Sequence, residues 1–188
     1  SRYFAQVSES IKDLAISELR HLGAGNIKPV FRGIWFTASK LNLYRITYRT
    51  RLLSRILAPL ASFACKDKDE LYRGAKKIRW EEFLSPKKTL AITANVSESP
   101  ALSHSKFAAL RVKDAIADYF MDRSNRRPNV DTQNPFIEIN LYIHKDLANL
   151  SIDVSGGTLH KRGYREESVA APMQEIVAAS IIRLSEWD

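Results

Sequence analysis

The stretch from Asn149 to Glu175, NLSIDVSGGTLHKRGYREESVAAPMQE, limits the possible folds more than any other part of the chain. Leu150, Ile152 and Val154 alternate with Ser151, Asp153 and Ser155, the period of a strand with one buried face. Gly156-Gly157 ends that strand, because paired glycines allow a positive-φ turn that other residues resist. A basic segment follows from Thr158 to Arg165, in which His160, Lys161, Arg162 and Arg165 surround Tyr164, a ring suited to stacking on a base. Pro172 then predicts the start of a final apolar helix. Strand, glycine turn, basic-aromatic loop and helix in so short a span read as one α/β unit.

The preceding chain supplies the remaining elements. Residues 3–8 read as a strand, and Ser8 or Glu9 opens a helix carrying Ile11, Leu14, Ala15, Leu19 and Leu22 on one stripe, ended by Gly23 and Gly25. Strands at 27–31 and 34–38 meet at Arg32-Gly33, and Ser39 caps a second helix to about Tyr48. TRLLSRILAPLASFAC then reads as a strand with Pro59 at an edge or bulge. The order strand-helix-strand-strand-helix-strand predicts a ferredoxin-like domain over residues 1–64. Residues 66–88 form a partly helical connection anchored by Leu71, Ile78, Trp80 and Phe83. A strand at 90–96 and a long helix follow, the helix capped by Ser103 or Ser105 with Phe107, Leu110, Ile116 and Phe120 on one face. A turn-rich loop at 123–135 leads to the alternating strand 136–143. The fold class is therefore mixed α+β or α/β, with domains expected at 1–64 and 65–170 and a terminal helix at 171–188.

Charge points to the partner class. Lys and Arg outnumber Asp and Glu by 29 to 21, a net charge of +8. Residues 1–60 hold ten basic and three acidic residues, and residues 61–188 hold nineteen and eighteen, so nearly all the excess lies in the first third. A basic balance favours anionic partners, nucleic acid above all. No apolar run reaches the roughly 20 residues of a membrane span. A single cysteine, Cys65, excludes an internal disulfide and a cysteine-rich zinc site. A cytoplasmic protein without a secretion signal or metal is expected.

Catalytic patterns are absent. His21, His104, His144 and His160 share no metal-ligand spacing, and no GxGxxG or Walker-type loop follows a strand. Asp153-Val-Ser155-Gly-Gly lacks the glycine two positions before the serine that a nucleophile elbow requires. Ser155-Gly156-Gly157 reads either as a plain turn or as a backbone nest for a phosphate.

Four pieces carry a family resemblance: SKFAALRVKDAI at 105–116, RPNVD at 127–131, DVSGGTLHKRGYR at 153–165 and AAPMQEIVAASIIRLSEW at 170–187. In this order they resemble the THUMP region of bacterial large-subunit rRNA guanine-N2 methyltransferases of the RlmL type, and residues 1–64 are similar to the ferredoxin-like domain that precedes it. The resemblance covers essentially the whole chain. One departure is Ala108-Ala109, where relatives usually show glycine then alanine.

The resemblance implies an RNA-binding, substrate-positioning module with no cofactor of its own. The S-adenosylmethionine and the catalytic motif are expected in a methyltransferase domain after the last helix. The implied partner is RNA, large-subunit rRNA first, with no membrane or metal. Candidate RNA contacts are Arg45, Arg49, Arg51 and Arg55 in the first unit. In the second they are Lys106, Arg111, Lys113, Arg126, Arg127, His160, Lys161, Arg162, Tyr164 and Arg165. RPNVD also has a structural reading, with Pro128 and Asn129 shaping a turn and Asp131 capping it or pairing with Arg127. A stand-alone THUMP adaptor, or the THUMP part of a tRNA-modifying enzyme, is the alternative.

Overall fold

The computed structural model of the chain describes residues 1–100, 102–162, 167 and 170–185. These form two compact units, Ser1–Ala58 with Val154–Asp188 and Pro59–Asp153.

The first unit begins with β1 (Arg2–Gln6), α1 (Lys12–His21), β2 (Gly25–Val30), β3 (Gly33–Thr37) and α2 (Lys40–Arg49), and takes in the start of β4 (Arg55–Ala64). Its strands pair in the order β2-β3-β1-β4, every neighbour antiparallel, which is the ferredoxin-like arrangement expected from the element order. The register places Ala5 opposite both Ile34 and Ile56, all fully buried, so each central strand adds to one apolar layer. Ala15 and Leu19 of α1 and Ile46 of α2 close over that layer. Ser39 caps α2 as its sequence predicts, accepting the Asn42 N–H at 3.1 Å. Arg32 turns the β2–β3 hairpin with φ of 55°. Gly33 is obligatory, since a Cβ there would lie 2.1 Å from the Phe4 ring.

The second unit contains α3 (Lys68–Lys76), β5 (Thr89–Ser97), α4 (Ser105–Ser124), β6 (Asn129–Val130), β7 (Ile137–His144) and β8 (Leu147–Asp153). Its sheet runs β8-β7-β5-β6, with β7–β8 antiparallel and the other two pairs parallel. Trp80 is fully buried and donates its indole N–H to the Ala75 carbonyl at 2.9 Å, the anchoring role its sequence context suggests.

Three expectations about the helices change. The buried face of α4 is Ala108, Val112, Ala115, Ile116, Tyr119 and Phe120, whereas Phe107 and Leu110 are 44% and 52% exposed. Helix α4 is apolar on several sides, and the small alanines allow its close approach to neighbouring elements. His104, not Ser103 or Ser105, is its N-cap residue and makes no side-chain capping bond. The final helix, α5 (Glu175–Leu184), starts three residues after Pro172, because Gln174 keeps an extended backbone at the N-cap.

The chain leaves the second unit earlier than residue 170. At Val154 it rejoins the first unit, where the Val154 N–H donates to Ile56 O at 2.9 Å and the Leu159 N–H to Ser54 O at 2.9 Å. Leu159 enters the core beside Ile46 and Ile56. Residues 158–162, the described part of the basic segment, therefore belong to the ferredoxin-like unit.

Candidate nucleic-acid interface

In the first unit the basic residues gather around α2 and the turn into β4. That turn is held from two sides. The buried Glu18 carboxylate accepts the Thr50 hydroxyl at 2.6 Å, the Arg51 N–H at 3.0 Å and the Leu52 N–H at 3.3 Å, with the Arg183 guanidinium 3.5 Å away. A buried carboxylate is tolerated when its lone pairs meet donors in this way. Opposite it, Arg162 donates to the carbonyls of Thr47 at 3.0 Å, Thr50 at 2.8 Å and Tyr48, and from Nε to its own neighbour Leu159 at 2.7 Å. The last carbonyls of a helix have no partner within it, and a cation there also meets the negative end of the helix dipole. Arg162 thus stitches the returning loop to the end of α2. Four of its five N–H donors are spent on carbonyls.

The candidates around this stitched turn separate by exposure. Arg45, Arg49, Arg51 and Lys161 are exposed, while Arg55 and His160 are half-buried. Arg55 lies on β4 opposite Gln6. Gly156 and Gly157 have φ of 71° and 113° with open space where a Cβ would stand, so backbone conformation alone demands glycine. The Ile56 N–H donates to Ser155 Oγ at 3.3 Å, which makes this segment a turn anchored to β4. Tyr164 and Arg165 lie outside the described residues.

The second unit divides its cations differently. Arg111 is engaged by Asp69 at 3.3 Å and lies 4.8 Å from the Tyr72 ring centroid, and Lys113 meets Asp114 at 3.0 Å. Both help to balance charge around α4. Lys106, Arg126 and Arg127 are exposed. Asp131 does not bind Arg127: its Oδ1 accepts the N–H groups of Gln133 at 2.9 Å and Asn134 at 3.0 Å, and these bonds hold its carboxyl below the usual carboxylate range. RPNVD is thus the lead into an edge strand followed by an Asx turn.

Sequence reasoning missed the neighbours of Arg126 and Arg127. Parallel pairing sets Thr89 opposite Asn129 and Leu90 opposite Ile137, so β5, β6 and β7 all begin at one end of the sheet. Exposed Lys87 and Lys88 therefore come to that end with Arg126, Arg127 and Phe136. Lys88 lies 4.4 Å from the Phe136 ring centroid, and the ring is 58% exposed. The available signal was three parallel strand starts, each preceded by a cation or an aromatic residue. Among the described residues no group of His, Cys, Asp and Glu is placed to hold a metal, and no helix is long and apolar enough to cross a membrane.

Comparison with known proteins places these units. Residues 65–153 match the THUMP domain family model. The ribosomal RNA large subunit methyltransferase K/L of Syntrophotalea carbinolica is 42% identical over 186 residues, which are 99% of this chain and 26% of that protein. A Listeria monocytogenes crystal structure, described as a predicted N6-adenine-specific DNA methylase, has 25% identity and a TM-score of 0.84 over 99% of this chain and 48% of its own. SMU.472, solved in complex with SAH, has 26% identity and a TM-score of 0.84 over 99% of this chain and 49% of its own. The chain thus spans half or less of each of these relatives.

Proposed function

We propose that this chain, whose residues 65–153 are a THUMP domain, is the RNA-gripping and substrate-positioning part of an rRNA guanine-N2 methyltransferase. The observation that carries the reading is the segment 40–55. It holds Lys40, Arg45, Arg49, Arg51 and Arg55 with no acidic residue, and it adjoins a THUMP domain in a chain 42% identical to an rRNA methyltransferase. Cations in that density neutralise phosphates and release counterions, the main source of affinity for a nucleic acid. The exposed ends of Lys87, Lys88, Arg126 and Arg127 supply a second set of phosphate contacts in the THUMP domain. Structured RNA is read by shape and by unpaired bases, which suits a basic surface on each unit better than one reading helix.

The methyl donor implied by the relatives does not fit the residues described here. The only paired glycines, 156 and 157, lead to Leu159 and the β4 contacts rather than to a helix N-terminus that would cradle a cofactor. Chemistry therefore belongs to a further domain, to which these units would present the RNA, and a cytoplasmic location follows from an rRNA substrate. Binding of the chain to a large-subunit rRNA hairpin, a tRNA and a DNA hairpin of the rRNA sequence tests the reading. Tightest binding to the rRNA hairpin is expected. Preference for the DNA hairpin would instead support an assignment like that of the Listeria relative.

A further inference from the structure

The exposed side of α2 carries more than charge. At 100° per residue, Lys40, Tyr44, Tyr48, Leu41, Arg45 and Arg49 follow one another across half the helix circumference, opposite the buried Ile46. Tyr44 is 65% exposed, Tyr48 83% and Leu41 76%. Burial therefore does not account for either ring. The two tyrosines stand one turn apart with Lys40 on one flank and Arg45 and Arg49 on the other, and α2 contains no acidic residue. Arg162 holds the carbonyls of Thr47, Tyr48 and Thr50, so the turn bearing Tyr48 and Arg49 is fixed before any ligand arrives.

We infer that this face is a stacking platform for unpaired RNA nucleotides, with Tyr44 and Tyr48 taking bases and Lys40, Arg45 and Arg49 taking the flanking phosphates. The inference rests on the RNA-binding reading and deepens it. Paired nucleotides hide their ring faces within the helix, so exposed aromatic rings favour single strands, whereas cations alone bind either form.

The test uses the whole chain, a labelled single-stranded RNA of about twelve nucleotides and a blunt RNA duplex of the same sequence. The double variant Tyr44→Ala/Tyr48→Ala should lose single-strand affinity about tenfold or more, with an unchanged salt slope and little change on the duplex. Tyr44→Phe/Tyr48→Phe keeps the rings and should restore single-strand binding. Arg45→Gln/Arg49→Gln should instead flatten the salt slope by about 1.4, two phosphate contacts on a single strand. Since both rings are exposed, circular dichroism should show all variants folded. Parent-like single-strand binding by the alanine pair, or an equal loss on duplex, would overturn the platform while leaving the RNA reading intact. Failure of the unaltered chain to bind either RNA would overturn both.

Discussion

Replacing Arg162 by methionine should loosen the end of α2 and leave the THUMP domain untouched. The guanidinium makes four donor contacts, to Leu159, Thr47, Tyr48 and Thr50, and three of those carbonyls close the helix. A hydrogen bond from a charged donor contributes about 1.5–3 kcal/mol when buried. Arg162 is only half-buried, water can reach part of the vacated carbonyls, and bonds from one group do not add independently. The expected loss is therefore about 2–4 kcal/mol, including roughly 0.3–1 for the cation at the helix C-terminus. Hydrogen exchange read by mass spectrometry localises it. Amides of residues 43–53 should exchange faster by about 30-fold or more, while those of β7 and β8 keep the parent rate as an internal control. Arg162→Lys keeps the charge but not the fork and should recover only part of the protection. If Arg162→Met left α2 exchange unchanged and lowered only RNA affinity, the stitching account would be refuted and the sequence-based reading of Arg162 as an RNA contact would stand.

Two further outcomes test the local packing. Gly74 sits inside α3, where alanine would ordinarily stabilise a helix by about 1 kcal/mol. A Cβ here would lie 2.2 Å from the Phe63 ring, so Gly74→Ala should destabilise by about 1–3 kcal/mol in urea unfolding, and Phe63→Leu should relieve part of it. Asp67 caps α3 by accepting the Asp69 and Glu70 N–H groups at 2.8 and 2.7 Å, with the Glu70 bond the larger cause of a carboxyl lowered from 3.8. A depressed carboxyl contributes stability above its unfolded value that is lost as pH falls through the folded one. Asp67→Asn should keep the cap and remove that part of the acid sensitivity below about pH 4, whereas Asp67→Ala should lower the unfolding temperature at neutral pH as well, both read from thermal unfolding against pH.

Local pattern made much of the architecture legible. Alternation marked β7 and β8, Ser39 marked the start of α2, and the strand-helix order over residues 1–64 implied the ferredoxin-like sheet that the antiparallel ladders display. What sequence could not show is decided by residues far apart in the chain. Arg162 looks like any loop arginine until Val154 returns to Ile56 and brings it to carbonyls more than a hundred positions earlier. Nothing local to Glu18 shows that it collects the donors of Thr50, Arg51 and Leu52, more than thirty positions later. In α4 several apolar stripes compete, and packing chose the one with the small residues Ala108 and Ala115 over Phe107 and Leu110. Among the site candidates, residue type alone did not distinguish the exposed Arg45 and Arg49 from Arg111, which is held by Asp69. Lys87, Lys88 and Phe136 needed the parallel register to be seen as one group.

The central claim is that cations of the ferredoxin-like unit and the THUMP domain grip RNA. Affinity for a large-subunit rRNA hairpin across a salt series, for the parent chain and for Arg45→Glu/Arg49→Glu, tests it most directly. The account predicts a steep fall of binding with salt for the parent, and for the variant a weaker affinity and a slope reduced by about one or two phosphate contacts. Binding that is absent at low salt, or that ignores both salt and the charge reversal, would contradict it.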